Sequence, residues 1–360
     1  MGAAAAASLY TARAFGPSTP LILMPAQCFP RSASRYGVTA LVLAALASLP
    51  LPARAGLSVY AAGDVAECAA DPADSAAAAT ARLIPEGAPV LVVGDSTYPS
   101  ATAATLAACY APTWGRFRAD TYAVPGNHDY VWGSARDFLA YFGARTGQHT
   151  RFRVALGDWW LIGLDSNLRG QALAHQQAWL ERQLKAIGDD GKCIVAMWHH
   201  ALYSTGLHRG DGAPMRPAWR ALDTAGADVV LAGHEHFYEA FEPLDADGGR
   251  PEAGIREFVV GTGGAHLRDL SLSAQHRAFA REHGVLELEL AADHYRWAFH
   301  AVSGEIRDSG SAPCRRASQS TKRTAAATRA TTSSTSPAGA ESRASSATAP
   351  RPADGTITPR

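Results

Sequence analysis

Six side chains that could bind metal ions lie at the ends of short apolar segments in this sequence. They supply carboxylate, amide and imidazole donors and are Asp64, Asp95, Asn127, His199, His234 and His236. Three oxygen and three nitrogen donors suit first-row ions such as zinc, iron or manganese better than calcium, which prefers all-oxygen shells. Together with the nearby phenol of Tyr98, they are too many ligands for one tetrahedral ion. The donor set therefore predicts two ions that share Asp95 as a bridge.

The apolar segments that carry these residues are typical of buried strands. They are LSVYAAGD (57–64), APVLVVGD (88–95), DTYAVPGNHD (120–129), KCIVAMWHH (192–200) and ADVVLAGHEH (227–236). In layered sheets of this kind, ligands bind at the carboxyl ends of the strands, because the loops converge there on a rigid support. At four of these ends a glycine precedes the polar residue and lets the backbone turn sharply. The pattern predicts that the strand ends form one site.

Helical patterns separate these strands along the chain. The helical segments are 70–84, 100–109, 133–142 and 171–187. The last of them places Leu180, Leu184 and Ile187 on one apolar face. Three later apolar segments, REFVVGTGG, GVLELELAA and HYRWAFHAV, are typical of further strands without intervening helices. This order of elements predicts a layered α/β or α+β sandwich.

Five motifs in a fixed order carry a family resemblance. They are GD (63–64), GDxxY (94–98), GNHD (126–129), the strand that ends in two histidines (199–200) and GHEH (233–236). Across 57–314 this set resembles the calcineurin-like metallophosphoesterases, and within them the purple acid phosphatase branch and its small bacterial relatives. The resemblance implies a four-layer αββα sandwich with a metal site at the carboxyl ends of the strands. Ala66 stands where many members have a histidine ligand, and Tyr98 has the spacing of the tyrosine that replaces that ligand in the purple branch.

The resemblance implies two overlapping ligand sets. The first ion is expected to bind Asp64, Asp95, Tyr98 and His236, and the second Asp95, Asn127, His199 and His234. A tyrosine with an ordinary pKa near ~10 must lose its proton to ligate well, which favours a highly charged ion. We therefore expect Fe³⁺ in the Tyr98 site and Zn²⁺, Mn²⁺ or Fe²⁺ in the second site.

Neighbouring residues receive roles from the same resemblance. His128 is expected to contact a phosphoryl oxygen and to help protonate the leaving group. His208, nine residues after His199, stands where the purple branch places a histidine that faces the substrate. Asp129 is expected either to orient His128 or to be a plain turn residue. His200 is expected to point to the other face of its strand, as a supporting or structural residue.

The implied function is that of an exported enzyme of the acid phosphatase type. It would hydrolyse small phosphomonoesters by attack of a metal-bound hydroxide. A phosphodiesterase or nucleotide pyrophosphatase with the same dimetal site is the alternative, because the loops of the pocket decide between these substrates. A binding protein without catalysis on the same scaffold is a third reading. The formal net charge is zero, so the composition carries no signal for nucleic acid or an anionic membrane as a partner.

Both ends of the chain are predicted to lie outside the catalytic domain, which we place at 56–316. The apolar run GVTALVLAALASLPL, followed by Ala-Arg-Ala at 53–55, predicts that 1–55 is a cleaved signal peptide. The run is short for a transmembrane helix of about 20 residues, although an uncleaved anchor stays an alternative, as does a start at Met24. Residues 317–360 are rich in Ser, Thr, Ala and Arg and predict a disordered tail. The expected location is the periplasm or the medium.

Four cysteines lie in the predicted catalytic domain. They are Cys68, Cys109, Cys193 and Cys314. An even number in an exported chain permits disulfides, and the sequence leaves three connectivities open beside the alternative of buried free thiols.

Overall fold

Strands supply most of the regular structure in the computed structural model, which describes residues 56–69, 71–251, 253–269 and 277–316. The predicted signal peptide at 1–55 and the predicted tail at 317–360 lie outside the described residues. The strands are β1 Leu57–Ala62, β2 Ala66–Glu67, β3 Val90–Val92, β4 Thr97–Tyr98, β5 Thr121–Ala123, β6 Phe152–Leu156, β7 Trp159–Gly163, β8 Cys193–His200, β9 Val229–Gly233, β10 Tyr238–Ala240, β11 Arg256–Val260, β12 Ala278–Ala280, β13 Gly284–Leu290, β14 His294–Ala301 and β15 Ile306–Pro313.

Short helices connect the strands. The α-helices of the described ranges are α1 Ala76–Ala81, α2 Ala103–Thr105, α3 Arg136–Thr146, α4 Gly170–Ile187 and α5 Arg216–Thr224. A π-helical turn at Leu106–Tyr110 continues α2, and 3₁₀ turns occupy Pro72–Asp74, Trp114–Asp120, Asn127–Asp129 and Ala213–Met215. The helix predicted at 70–84 is shorter than expected because Ser75 caps α1, its side chain accepting from the N–H of Ala78 at 3.1 Å.

The strands form two large sheets and one small one. The first sheet has the order β15-β14-β13-β1-β3-β5, the second β12-β10-β11-β9-β8-β7-β6, and β2 pairs with β4. Strands β1, β3 and β5 are parallel neighbours, and so are β7, β8, β9 and β11. The carboxyl ends of these parallel strands carry all of the predicted motifs.

Three hydrophobic clusters show how the layers stack. One lies between the two large sheets and contains Val59 and Leu91 from the first sheet and Val195 and Leu231 from the second. Helices α4 and α5 cover the outer face of the second sheet, where Leu180 packs in the same cluster as the strand residues. Helices α1 and α3 cover the outer face of the first sheet. The four-layer αββα sandwich that the sequence predicts is therefore confirmed.

Two disulfides link separate segments of this sandwich. Cys68 bonds to Cys109, and Cys193 at the start of β8 bonds to Cys314 after β15. These pairs select one of the three connectivities that the sequence leaves open, and disulfides of this kind form in oxidising compartments. None of the helices within the described ranges is long and apolar enough to cross a membrane.

Candidate metal centre

The seven predicted ligands lie together where the parallel strands end. Asp64 follows β1, Asp95 follows β3, Asn127 follows β5, His199 lies near the end of β8, and His234 follows β9. Tyr98 comes from β4 and His236 from the loop after β9. Asp64, Asp95, His199 and His236 are each at most 1% exposed. The two sheets thus converge on one polar cluster at the strand ends, in which Asn127 is exposed.

The first predicted ligand set forms a connected group. The hydroxyl oxygen of Tyr98 lies 2.7 Å from Asp64 Oδ1 and 3.0 Å from Asp95 Oδ2, so its single proton can bond to either carboxylate. The same hydroxyl lies 3.1 Å from His236 Nε2, which in turn lies 3.2 Å from Asp64 Oδ1. These four side chains therefore present their donor atoms to one another within hydrogen-bond distance.

The second predicted set adjoins the first through Asp95. His199 Nε2 lies 3.3 Å from Asp95 Oδ2 and 3.2 Å from Asn127 Oδ1. The ring of His234 packs against that of His199, with centroids 5.0 Å apart. The N–H of His234 donates to Asp64 Oδ2 at 2.9 Å. Asp95 is thus the carboxylate common to both groups.

Each of the three ligand imidazoles has one ring nitrogen that is bonded away from the cluster, here called the outer nitrogen. Each outer nitrogen contacts an atom that can only accept a hydrogen bond. His199 Nδ1 lies 2.9 Å from the carbonyl of Val93, and His236 Nδ1 lies 2.7 Å from the carbonyl of His266. His234 Nε2 lies 3.0 Å from Asp211 Oδ2. Each outer nitrogen must then carry the proton, so the inner nitrogen keeps its lone pair, as metal-binding histidines require.

The donors inside the cluster fit two cations. Imidazole lone pairs that face carboxylate and amide oxygens would repel one another unless a proton or a cation lies between them. Burial acts against charging His199, but the charges of Asp95 and Asp64 outweigh it and raise its pKa to about 9. Burial, with the charges of Asp64 and Asp95, raises the pKa of Tyr98 well above its usual value of 10.0. A phenolate here therefore requires strong positive charge in the cluster.

Three of the ligand residues have left-handed backbone conformations. The φ angles are 56° at Asp64, 52° at Asp95 and 72° at His234. Such a conformation costs on the order of 1 kcal/mol or more in a residue other than glycine, and it persists where the surroundings enforce it. Each of these residues comes directly after a strand-end glycine, so the turn directs the side chain inward.

Asp129 holds two of these turns together. Its carboxylate accepts from the N–H groups of Asp95 at 2.8 Å, Ser96 at 3.0 Å and Gly126 at 2.8 Å. Burial and then the charge of Asp95 raise its pKa to about 6. The ring of His128 instead contacts the carbonyl of Pro99, 2.6 Å from Nδ1. Of the two roles expected for Asp129, these contacts favour that of a turn residue.

The predicted phosphoryl-facing histidine lies at the open side of the cluster. The side chain of His128 is 34% exposed, and its Nε2 lies 4.0 Å from Asp95 Oδ2. Its N–H donates to Asp95 Oδ1 at 2.8 Å. Because the carbonyl of Pro99 accepts a hydrogen bond from Nδ1–H, Nε2 is the nitrogen that faces the cluster, with a lone pair in the neutral ring.

His200 and His208 both contact His234. The ring centroids lie 4.5 Å and 4.6 Å from that of His234. We expected His200 to point to the opposite face of β8 from His199. The pairing of β8 with β9 is irregular between Met197 and His200, and the rings of His199 and His200 both contact that of His234. Ser166 Oγ lies 2.7 Å from Nδ1 of His200. Burial, followed by the charges of His199 and His234, lowers the pKa of His200 to about 2. His200 is therefore a neutral supporting side chain.

Buried glutamates hold the loop that carries His208, here called the His208 loop (201–211). Glu257 accepts from the N–H groups of Leu202 at 2.9 Å and Tyr203 at 2.8 Å. Glu239 accepts from the N–H of Thr205 at 3.1 Å, and Glu235 from that of His208 at 2.5 Å. These contacts join the loop to β10, β11 and the turn after β9, so they fix the position of His208.

The sequence motifs predict no role for Asp211, Arg268 or these glutamates. Asp211 bonds to His234, and Arg268 Nη1 donates to His208 Nε2 at 2.8 Å. Both lie in irregular loops, where no periodicity marks a residue. The only local signal is the short spacing of Asp211 after His208, which is common in ordinary turns.

Gly126 offers a test of the cluster. A Cβ at this position would overlap the carboxylate and N–H of Asp95. We expect Gly126→Ala to displace Asp95 and to weaken metal retention by about 10–100-fold, the range seen for changes around metal ligands. Gly157→Ala is the control for backbone strain: a Cβ there meets nothing within 4 Å, so the strain of its left-handed backbone (φ 58°) stays in the turn between β6 and β7 and should leave the metal content unchanged. Metal content is measured on both purified variants, and equal content would contradict the assignment of Asp95.

Glu257 predicts a dependence of stability on pH. Burial, with a smaller effect from Glu239, raises its pKa from 4.5 to about 8. The folded protein therefore binds this proton more tightly than the unfolded chain does. The resulting stabilisation is complete below pH 4.5 and is lost as the pH rises through 8. We expect the Tm to fall across this window.

The variant Glu257→Gln should show a shallower fall of Tm by scanning calorimetry at constant metal concentration. Some slope should remain, since burial also raises the pKa of Asp228 to about 7. Glu305→Gln is the control, because the Glu305 side chain is 63% exposed. Identical slopes in the wild type and Glu257→Gln would refute this account.

Comparison with known proteins agrees with the geometry. Residues 57–238 match the family described as calcineurin-like phosphoesterase. Purple acid phosphatase 21 of Arabidopsis thaliana is 32% identical over 144 residues, which cover 36% of this chain and 32% of that protein. The match thus spans about a third of the length of this curated relative.

Two solved structures share the fold. Purple acid phosphatase PPD1 from yellow lupin seeds superposes with a TM-score of 0.54 at 17% identity, over 73% of this chain and 55% of that one. GAP50 of Plasmodium, described as the anchor in the inner membrane complex, gives a TM-score of 0.57 at 14% identity, over 72% and 90%. At these identities the two structures support the fold alone. With the family match and the buried cluster of Asp and His side chains, the chain belongs to the calcineurin-like phosphoesterase family and resembles its purple acid phosphatase branch.

Proposed function

We propose that this protein is an exported dinuclear-metal phosphoesterase that hydrolyses small phosphomonoesters, as acid phosphatases do. The supporting observation is the single cluster in which all seven expected ligands meet, with the outer nitrogen of each ligand imidazole held by an acceptor. Inner imidazole nitrogens that face buried carboxylates suit cations, and without cations a proton takes that place, as the raised pKa of His199 indicates.

The donor chemistry assigns an ion to each half of the cluster. Asp64, Asp95, Tyr98 and His236 would hold Fe³⁺, because only a highly charged ion offsets the raised pKa of the phenol. Asp95, Asn127, His199 and His234 would hold Zn²⁺, Mn²⁺ or Fe²⁺. When bound, two such ions supply the positive charge that binds phosphate oxygens and lowers the pKa of water for attack on phosphorus.

His128 is the residue placed to move a proton at the leaving group. Its Nδ1 proton is held by the carbonyl of Pro99, and its Nε2 faces the cluster from a partly exposed position. A protonated Nε2 can donate to the oxygen that departs from phosphorus, and such assistance is typically worth about 10²–10⁴-fold in rate. His208, held by Glu235 beside His234, would face the substrate from the other side.

Export is supported by the two disulfides together with the predicted signal peptide. Cys68–Cys109 and Cys193–Cys314 would form and persist in the periplasm or outside the cell. The segment 1–55, which would direct export, lies outside the described residues.

Activity of the purified mature protein tests the function. We expect faster hydrolysis of p-nitrophenyl phosphate than of bis-p-nitrophenyl phosphate, with two metal ions per chain by elemental analysis. Preference for the diester would instead indicate a phosphodiesterase or nucleotide pyrophosphatase. Metal-free protein that hydrolyses neither compound would indicate a binding protein, an outcome that a shared fold alone leaves open.

The spectrum of Tyr98→Phe tests the ferric site. Loss of the phenolate should remove the visible absorption band expected for tyrosine bound to Fe³⁺, while circular dichroism reports an intact fold. Tyr141→Phe is the matched control, because this tyrosine packs against Tyr110 and Phe142 away from the cluster. An unchanged band in Tyr98→Phe would remove Tyr98 from the ligands.

A further inference from the structure

Arg268 lies beside the metal centre in the loop that follows β11, here called the β11 loop (261–269). Its side chain is half-buried. Within the part of the chain that the structure describes, it forms no ion pair with a carboxylate. An arginine is almost never fully buried without a partner, but a partly buried one can remain unpaired and keep its charge for a ligand. The guanidinium of Arg268 is therefore available to an anionic partner.

The position of Arg268 is set by the site itself. Its N–H donates to the carbonyl of His236 at 3.1 Å. Its Nη1 donates to His208 Nε2 at 2.8 Å and to the carbonyl of His234 at 3.5 Å. A guanidinium has five N–H donors, and these side-chain contacts use Nη1 alone. The Nε and Nη2 donors have no hydrogen bond to another described residue and can bind a ligand.

Neither of the two nearby carboxylates is hydrogen-bonded to Arg268. Asp211 lies on the far side of the His208 ring, 3.6 Å from Nδ1, and bonds to His234 at 3.0 Å. Oε1 of Glu235 accepts from the N–H of His208, and its Oε2 is buried without a hydrogen-bond partner. Burial raises the pKa of Glu235, and the charges of His208 and Arg268 offset only part of that effect. Neither carboxylate supplies the bidentate partner that an arginine fork favours.

The contacts of Arg268 place it one layer outside the ligand cluster. It contacts His234 and His236 only through their backbone carbonyls, and it has no described contact with Asp64, Asp95 or Tyr98. A phosphoryl group held by the ions would occupy the inner layer. The part of a substrate that reaches Arg268 is then the leaving group.

We propose that Arg268 selects phosphomonoesters whose leaving group carries a second anionic group, either a carboxylate or a further phosphate. The planar guanidinium can bind either anion with two parallel hydrogen bonds. This inference rests on the proposed phosphatase function. His208, bonded to the same guanidinium, positions it at the edge of the ligand cluster.

Three substrates test this selectivity: phenyl phosphate, 4-carboxyphenyl phosphate and 1,4-phenylene bisphosphate. For each substrate we compare kcat/KM of Arg268→Met with that of the wild type, so that differences in intrinsic reactivity cancel. A charged hydrogen bond is worth enough to predict a loss about 10–100-fold larger for the two substrates with a second anionic group than for phenyl phosphate. Arg268→Lys, which keeps the charge without the planar guanidinium, should fall between. A larger loss with only one of these two substrates would identify the anion.

Arg296→Met is the matched control, because Arg296 pairs with Glu289 on the surface of β14. It should affect the three substrates equally. Equal losses for all three substrates in Arg268→Met would overturn the proposal, since they would mean that Arg268 acts on the transferred phosphoryl group or only through His208.

Binding separates this proposal from the proposed function. Calorimetry with phenylphosphonate and 4-carboxyphenylphosphonate measures recognition without hydrolysis. Tighter binding of the carboxylated compound by the wild type, lost in Arg268→Met, would support the role of Arg268 even in a protein that hydrolyses no ester. Equal affinities in the wild type would refute it, even in an active phosphatase.

Discussion

The structure depends on two buried carboxylates that cannot be stable side by side without positive charge. Asp64 and Asp95 are 0% and 1% exposed, and both contact the hydroxyl of Tyr98. Burial opposes their ionisation, and the neighbouring imidazoles more than offset that effect, so the pKa of each is lowered. Charge balance within this small volume determines the stability of the strand ends, the protonation of the ligands and the chemistry proposed for the site.

The sandwich provides the rigidity that this charge balance requires. Parallel strands from two sheets end at the cluster, and left-handed residues such as Asp64 and His234 are held there against their backbone preference. Each ligand imidazole is fixed through its outer nitrogen, two by backbone carbonyls and one by Asp211. The ligands therefore need little rearrangement on binding, which favours affinity.

We propose that selectivity resides in the loops rather than in this rigid centre. Glu235, Glu239 and Glu257 accept hydrogen bonds from the backbone of the His208 loop. The β11 loop brings Arg268 into contact with His208. Both a phosphatase and an anchor protein share this fold with the chain. The scaffold thus leaves open what is bound, and the side chains at the rim determine it.

The sequence alone determined the five strands that carry the motifs, three later strands, a layered sandwich and the set of residues that meet at the strand ends. It could do so because a strand, its terminal glycine and the polar residue after it are adjacent in the chain, and parallel strands bring such ends together. The spacing of Leu180, Leu184 and Ile187 likewise predicted helix α4. Only the tertiary structure decided helix α5, the cysteine pairing, the contact of His200 with His234, and the positions of Asp211 and Arg268. Most of these features either join segments that are far apart in the chain or lie in irregular loops. Neither case produces a periodic pattern in the sequence.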